Sequence, residues 1–189
     1  MADLAALSEV VTGARCWGIE LDPRYRVLAV TIEPDPLRTL GTAGEHQLLC
    51  FPVSVLLVTV TRPVSEDGQD RTALVTFDLE QLTAVSERFA GATIAPEPFG
   101  QPEPRPGTWG PQYSLEGRTS AADGTRATLT LELTTEDGSR LRLFARFDDV
   151  ELRDGARTLV VGIQQGGAPQ HAGPESHDDG VTPPGTLQF

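Results

Sequence analysis

The sequence predicts an α+β protein: a mostly antiparallel curved sheet or sandwich of about seven to nine strands, with two helices packed on it. Three observations predict this. Apolar residues recur with period two in several short runs, as half-buried strands require. Short turn signals join those runs, which suits antiparallel neighbours. Helical spacing of apolar residues marks two segments only.

The first helix is expected over residues 3–12. Leu4, Leu7 and Val11 recur at helical spacing, and Gly13 supplies the stop. In "CWGIELD", Trp17, Ile19 and Leu21 alternate with Cys16, Gly18 and Glu20, a strand pattern. "DPRY" makes a turn, because Pro23 presets the backbone for the second turn position. Residues 26–33 form the next strand, with Leu28, Val30 and Ile32 on one face. Pro34 and Pro36 end it, since neither can donate to a ladder.

Residues 46–62, "HQLLCFPVSVLLVTVTR", are too apolar on both faces for an edge. They predict a central strand, bent or bulged at Pro52. A polar turn over 65–71 leads to a strand in "TALVTF". Asp78 then stands as an N-cap, with Gln81 in capping-box position. Leu79, Leu82, Val85 and Phe89 make the stripe of a second helix over 79–90, which Gly91 closes.

Residues 95–112 are of another kind, for six of the eighteen are Pro. That composition excludes helix and inner strand and predicts a long surface loop, pinned by Phe99 and Trp109. Residues 1–165 are read as one α+β domain. The tail, 166–189, lacks any apolar period and is expected to be disordered.

Residues 129–152, "LTLELTTEDGSRLRLFARFDDVEL", predict a hairpin whose register follows from parity. A two-residue turn at Asp137-Gly138 puts leucine and arginine on the same face. A three-residue loop, Glu136-Asp137-Gly138, instead sets Leu133 against Leu141, Leu131 against Leu143 and Leu129 against Ala145. Glu132 then opposes Arg142, and Thr128 opposes Arg146, on the wet face. Phe144 lies on that outer face too, either covered or part of a contact surface. Asp148 and Asp149 are adjacent, so in a strand they point apart. They are read as turn formers rather than as an acid pair.

The formal charge is −12 and every basic side chain is arginine. An acidic chain is a poor nucleic-acid binder, since binding needs cations to displace counterions from phosphate. The all-arginine usage points to a GC-rich bacterial genome. The N-terminus has no basic leader pattern, and the longest apolar run falls short of a membrane span, so a cytoplasmic protein with no membrane contact is expected.

No phosphate-binding glycine loop and no nucleophile elbow is present. His46 and Cys50 share a strand face but stand about 13 Å apart at about 3.3 Å per residue, too far for a nucleophile and its base. His171, Glu175, His177, Asp178 and Asp179 are metal-capable, but their tail lacks the supporting shell that a metal site needs. Two cysteines make neither a disulfide framework nor a zinc pattern. The chain is therefore expected to have no catalytic residues, no metal and no cofactor.

Two stretches share an outline of alternating strand, turn, and second strand bearing a Phe: one over "RVLAVTIEP" and "EHQLLCFPVSVLLVTV", one over "ATLTLELTTEDGSRLRLFARFDDVEL". With "CWGIELD", this outline resembles a group of bacterial immunity proteins from polymorphic toxin systems, over about half the chain. The resemblance implies a small cytoplasmic α+β protein that binds and neutralises a toxin. It carries over no site residues.

The function expected is a non-enzymatic protein-binding module, immunity-like, with an acidic surface suited to a basic toxin. Trp109, Tyr113, Phe144 and Arg142 are the candidate contact residues, since aromatics and arginine dominate interface energies. The alternative is a carrier or sensor of an apolar small molecule, in a sheet–helix pocket lined by Trp17, Phe51 and Phe77.

Overall fold

The computed structural model describes residues 4–36, 44–66, 69–105, 112–113, 127–154 and 159–163. The elements are α1 (Leu4–Val11), β1 (Arg15–Asp22), β2 (Val27–Glu33), β3 (His46–Glu66) and β4 (Gln69–Val75). Then follow α2 (Leu82–Ser86), β5 (Ala92–Thr93), β6 (Gln112–Tyr113), β7 (Ala127–Thr134), β8 (Arg140–Asp154) and β9 (Leu159–Ile163). The class is α+β, as the alternation predicted. One antiparallel sheet of nine strands, two of them only two residues long, curls into a half-barrel.

The main order is β5-β1-β2-β3-β8-β7, with β4 and β6 also on β3 and β9 also on β8. All pairings are antiparallel. The core fills the concave side. Leu28, Val30 and Ile32 of β2, Leu48, Cys50, Leu56 and Val58 of β3, and Leu141, Leu143 and Phe147 of β8 are all buried there. Leu7 and Val11 of α1, with Leu82 and Phe89, close it from the helix side.

The β7–β8 hairpin has the register that parity demanded. Leu133 faces Leu141, Leu131 faces Leu143, Leu129 faces Ala145, Glu132 faces Arg142 and Thr128 faces Arg146. Gly138 has φ +81°, the left-handed conformation that a three-residue loop needs. Thr135 N donates to Ser139 O at 3.0 Å and closes the loop.

Several elements differ from expectation. The second helix is not continuous: 3₁₀ turns over Leu79–Gln81 and Glu87–Phe89 flank a five-residue α2. Its start is held by the expected capping box of Asp78 and Gln81, in which Asp78 N donates to Gln81 Oε1 at 3.0 Å. The arm of β3 and β4 is longer than the polar sequence implied, running through Glu66 and resuming at Gln69. Trp17 does not share a face with Ile19. A bulge between Cys16 and Gly18 makes Trp17 the extra residue, so Cys16 and Ile19 both turn inward and Trp17 turns out.

Asp148 and Asp149 are not in a turn. They lie mid-strand in β8, where Asp149 pairs with Phe51 beside the cis Phe51–Pro52 bond. Asp148 is buried and Asp149 half-buried. The tail over 166–189, expected to be disordered, lies outside the described residues.

Each buried leucine of the hairpin contributes about 1.5–3 kcal/mol, and an exposed cross-strand charge pair roughly 0.2–1 kcal/mol. Leu131→Ala is therefore expected to cost about 2–5 kcal/mol in urea unfolding, with a cavity left behind. Glu132→Ala is expected to cost no more than about 1 kcal/mol in the same measurement.

Candidate functional site

Of the four proposed contact residues, the structure describes the side chains of Arg142 and Phe144. Trp109 lies outside the described residues. Tyr113 is placed by its backbone, which pairs with Leu56 on β3. Arg142 sits on the outer face with Nε 2.9 Å from Glu132 Oε1, as the register predicted. Phe144 is on that face but fully buried, in a small cluster with Val55 and Leu57. A residue with no exposed surface is not available to a partner docking on the folded chain, so Phe144 acts as packing.

The residues proposed to line an apolar pocket differ in exposure. Trp17 is 38% exposed, with Nε1 donating to Glu33 Oε2 at 3.2 Å. Phe51 is half-buried in the β3–β8 ladder, and Phe77 belongs to the core. Phe99 does pin its loop: it is buried in the core and bridges Leu129.

The thiols and the histidine come closer together than sequence spacing implied, through Cys16 rather than Cys50. Cys16 pairs with Ile32, Ile32 with His46, and His46 with Asp154, so a thiol, an imidazole and a carboxylate occupy one row across four strands. The row is not armed. Two strand spacings, about 10 Å, separate Cys16 from His46. Burial pushes the Cys16 thiol up to about 11, against a smaller opposing effect of its bond to Gly18 O. Burial pushes Cys50 up further. A thiol that keeps its proton at neutral pH is a poor nucleophile. His46 Nδ1 lies 2.9 Å from Gly44 O, and a carbonyl only accepts, so the proton is on Nδ1. Nε2 is buried without a hydrogen-bond partner. Among the described residues, no group of three or more His, Cys, Asp or Glu is placed to hold a metal ion.

What the fold does build is at its open end. β8 begins at Arg140, paired with Thr61, whereas β3 continues to Glu66 with β4 alone beside it. The two strands form an arm. Beneath it is a cleft of about 540 Å³, walled by Val60, Arg62 and Pro63 of β3, Val75 of β4, Arg88 and Phe89 after α2, and the β7–β8 loop. Val60 and Phe89 are buried and give an apolar floor. Arg62 and Arg88 are exposed at the mouth. On the loop side, Asp137 accepts from Thr135 Oγ1, from Ser139 N at 3.0 Å and from Ser139 Oγ at 3.1 Å. Those bonds, the Thr135 hydroxyl first, hold its carboxyl below the ordinary aspartate value, so it stays charged.

The arm also ends in a strand, β4, that has one strand neighbour among the described residues. The edge of β1 is closed by Gly91 N on Cys16 O (2.7 Å), Ile94 N on Ala14 O (2.9 Å) and the Ser86 hydroxyl bonded to Ile19 N (3.0 Å). The edge of β7 is closed by Thr130 N on Pro98 O (2.6 Å) and Gly100 N on Thr128 O (3.2 Å). Among the described residues, β4 has β3 as its only strand neighbour, and Leu74 on it is 50% exposed.

Sequence reasoning missed Arg62 and Arg88. One signal was available: Leu56, Val58 and Val60 share the inner face, and Arg62 continues that row. A charge in a core row marks where the sheet outruns its core. Arg88 carries no comparable signal, since a charged residue on a helix flank is ordinary.

Compared with protein-family models, with curated proteins and with solved structures, the chain matches none of them. No helix among the described residues is long and apolar enough to cross a membrane.

The raised thiols have a pH consequence. A folded state that holds its thiol protons more tightly loses stability once the unfolded chain ionises, from about pH 8.5 upward. Urea stability is expected to fall between about pH 8.5 and 11, and to fall less steeply in C16A/C50A. Native protein at pH 8 should also resist iodoacetamide, while urea-unfolded protein takes up two equivalents.

Proposed function

We propose that the chain is a non-enzymatic binding protein that captures a protein partner, of the toxin-neutralising kind that its sequence outline resembles. The observation that carries this is Leu74, a half-exposed leucine on β4, a strand with β3 as its only strand neighbour among the described residues. An unpaired edge offers a row of backbone donors and acceptors, and a partner segment can add to it as a further strand. Where the edges of β1 and β7 are bonded by the chain's own backbone and side chains, β4 has no second strand neighbour among the described residues and bears an exposed leucine. The net charge of −12 favours a basic partner and speeds its approach at low salt.

Leu74 takes the central place in this surface, in place of Phe144. Half of it is already in water, so Leu74→Asp should fold normally.

The experiment is co-expression with the products of neighbouring genes, followed by pull-down and by growth of cells making a captured toxin. The wild-type chain is expected to retain a basic partner and to protect the cells. L74D is expected to weaken capture by about tenfold or more, as loss of a central contact does. If no neighbouring product is retained, the reading fails. Capture unchanged in L74D moves the surface away from β4.

A further inference from the structure

We propose that the cleft under the β3–β4 arm binds a small amphiphilic anion: a carboxylate or phosphate head between Arg62 and Arg88, and an apolar body against Val60, Val75 and Phe89. This is independent of partner capture. The volume, about 540 Å³, falls within the range of about 300–1,000 Å³ typical of small-molecule sites.

The chemistry of the walls selects the ligand. The floor is apolar, with Val60 contributed by the sheet and Phe89 by the segment after α2. A ligand that reaches the floor must therefore carry an apolar body. At the mouth, Arg62 and Arg88 form no ion pair with any described residue. Guanidinium groups present paired donors that fit carboxylate and phosphate oxygens two at a time.

The carboxylates of the site lie on the hairpin. Asp137 is engaged three times within its own turn, and Glu136 is exposed beside it. An anionic head is thus drawn to the arginine side and repelled from the hairpin side, which fixes its orientation. The chain as a whole carries −12, so its general field disfavours anion uptake. Binding of an anion therefore reports the local arginine pair.

Titration calorimetry of the full chain tests this, with four probes kept below their micelle concentrations. Laurate and dodecyl phosphate carry the two possible heads. Dodecyltrimethylammonium keeps the tail and reverses the charge. Inorganic phosphate keeps a head and lacks the tail. At least one of the first two is expected to bind, with the other two weaker by about tenfold or more.

Arg62→Ala and Arg88→Ala are each expected to weaken that binding about tenfold. Both side chains are exposed, so the fold is kept. Glu136→Gln removes a repulsion and is expected to tighten binding about twofold or more. L74D is expected to leave it unchanged, which separates this site from partner capture. Equal binding of the ammonium probe, equal binding of inorganic phosphate, indifference to loss of both arginines, or binding by none of the probes would overturn the proposal.

Discussion

The ladder between β3 and β8 is the constraint on which the rest of the molecule depends. It runs from His46 opposite Asp154 to Thr61 opposite Arg140. Every other strand except β1 and β5 attaches directly to one of these two. A ladder this long carries a specific difficulty. Side chains alternate strictly, and a sheet that curls around one core must keep its apolar side inward along its whole length. On β8, Leu141, Leu143, Ala145 and Phe147 point inward, and so do Val150 and Leu152. Those two sets have opposite parity. On β3, Leu48 and Cys50 point inward, then Val53. Both strands change face between the pairs Cys50–Val150 and Val53–Phe147. The change is shared, so pairing survives it. A separate bulge follows on β3 between Val53 and Val55. There the Ser54 hydroxyl donates to Arg146 O at 3.1 Å and accepts from Arg146 Nε at 3.2 Å, which satisfies the backbone that the bulge releases.

That device was half legible in the sequence. Pro52 within an apolar run announces a bend, because proline cannot serve a central ladder. Its partner at Asp148–Asp149 announces something else. Two adjacent aspartates are turn formers by local chemistry, and tertiary pairing with β3 overrides that preference. Trp17 misled for a related reason. Alternation gives the right face only while pairing is regular, and one bulged residue inverts it. The β7–β8 hairpin was read correctly down to its register because two independent constraints agreed there. The leucine parity required one loop length, and Gly138 stands where that loop needs a left-handed residue. Of the candidate site, little was legible. It is assembled from four segments, on β3, on β4, after α2 and in the β7–β8 loop, and none is unusual alone.

The open end follows from a mismatch in strand lengths. β3 extends past the start of β8 and, among the described residues, has only β4 as a strand neighbour there. Val60 is the last buried member of its row on β3, Arg62 is exposed, and Val64 beyond it is half-buried. Space remains where a longer β8 would have continued, and the β7–β8 loop and the segment after α2 border it. The cleft and the exposed Leu74 thus both belong to one arm.

The same geometry explains why the most reactive residue types in the chain are poorly placed for reaction. Cys16, His46 and Cys50 stand in core rows because β1 and β3 need small or apolar-tolerant side chains there. Burial that suits packing removes the water and the positive charge that a thiolate requires, and it pushes both thiols up. Activating Cys16 would take a base in contact with its sulfur. Ile32 occupies the position between them, as β2 demands of its inner row. To insert the base there would break the apolar row that holds β1 to β2 and β2 to β3. In this sheet, then, chemistry at the core row and cohesion of the core row exclude one another, and the groups free to meet another molecule are those where the row ends.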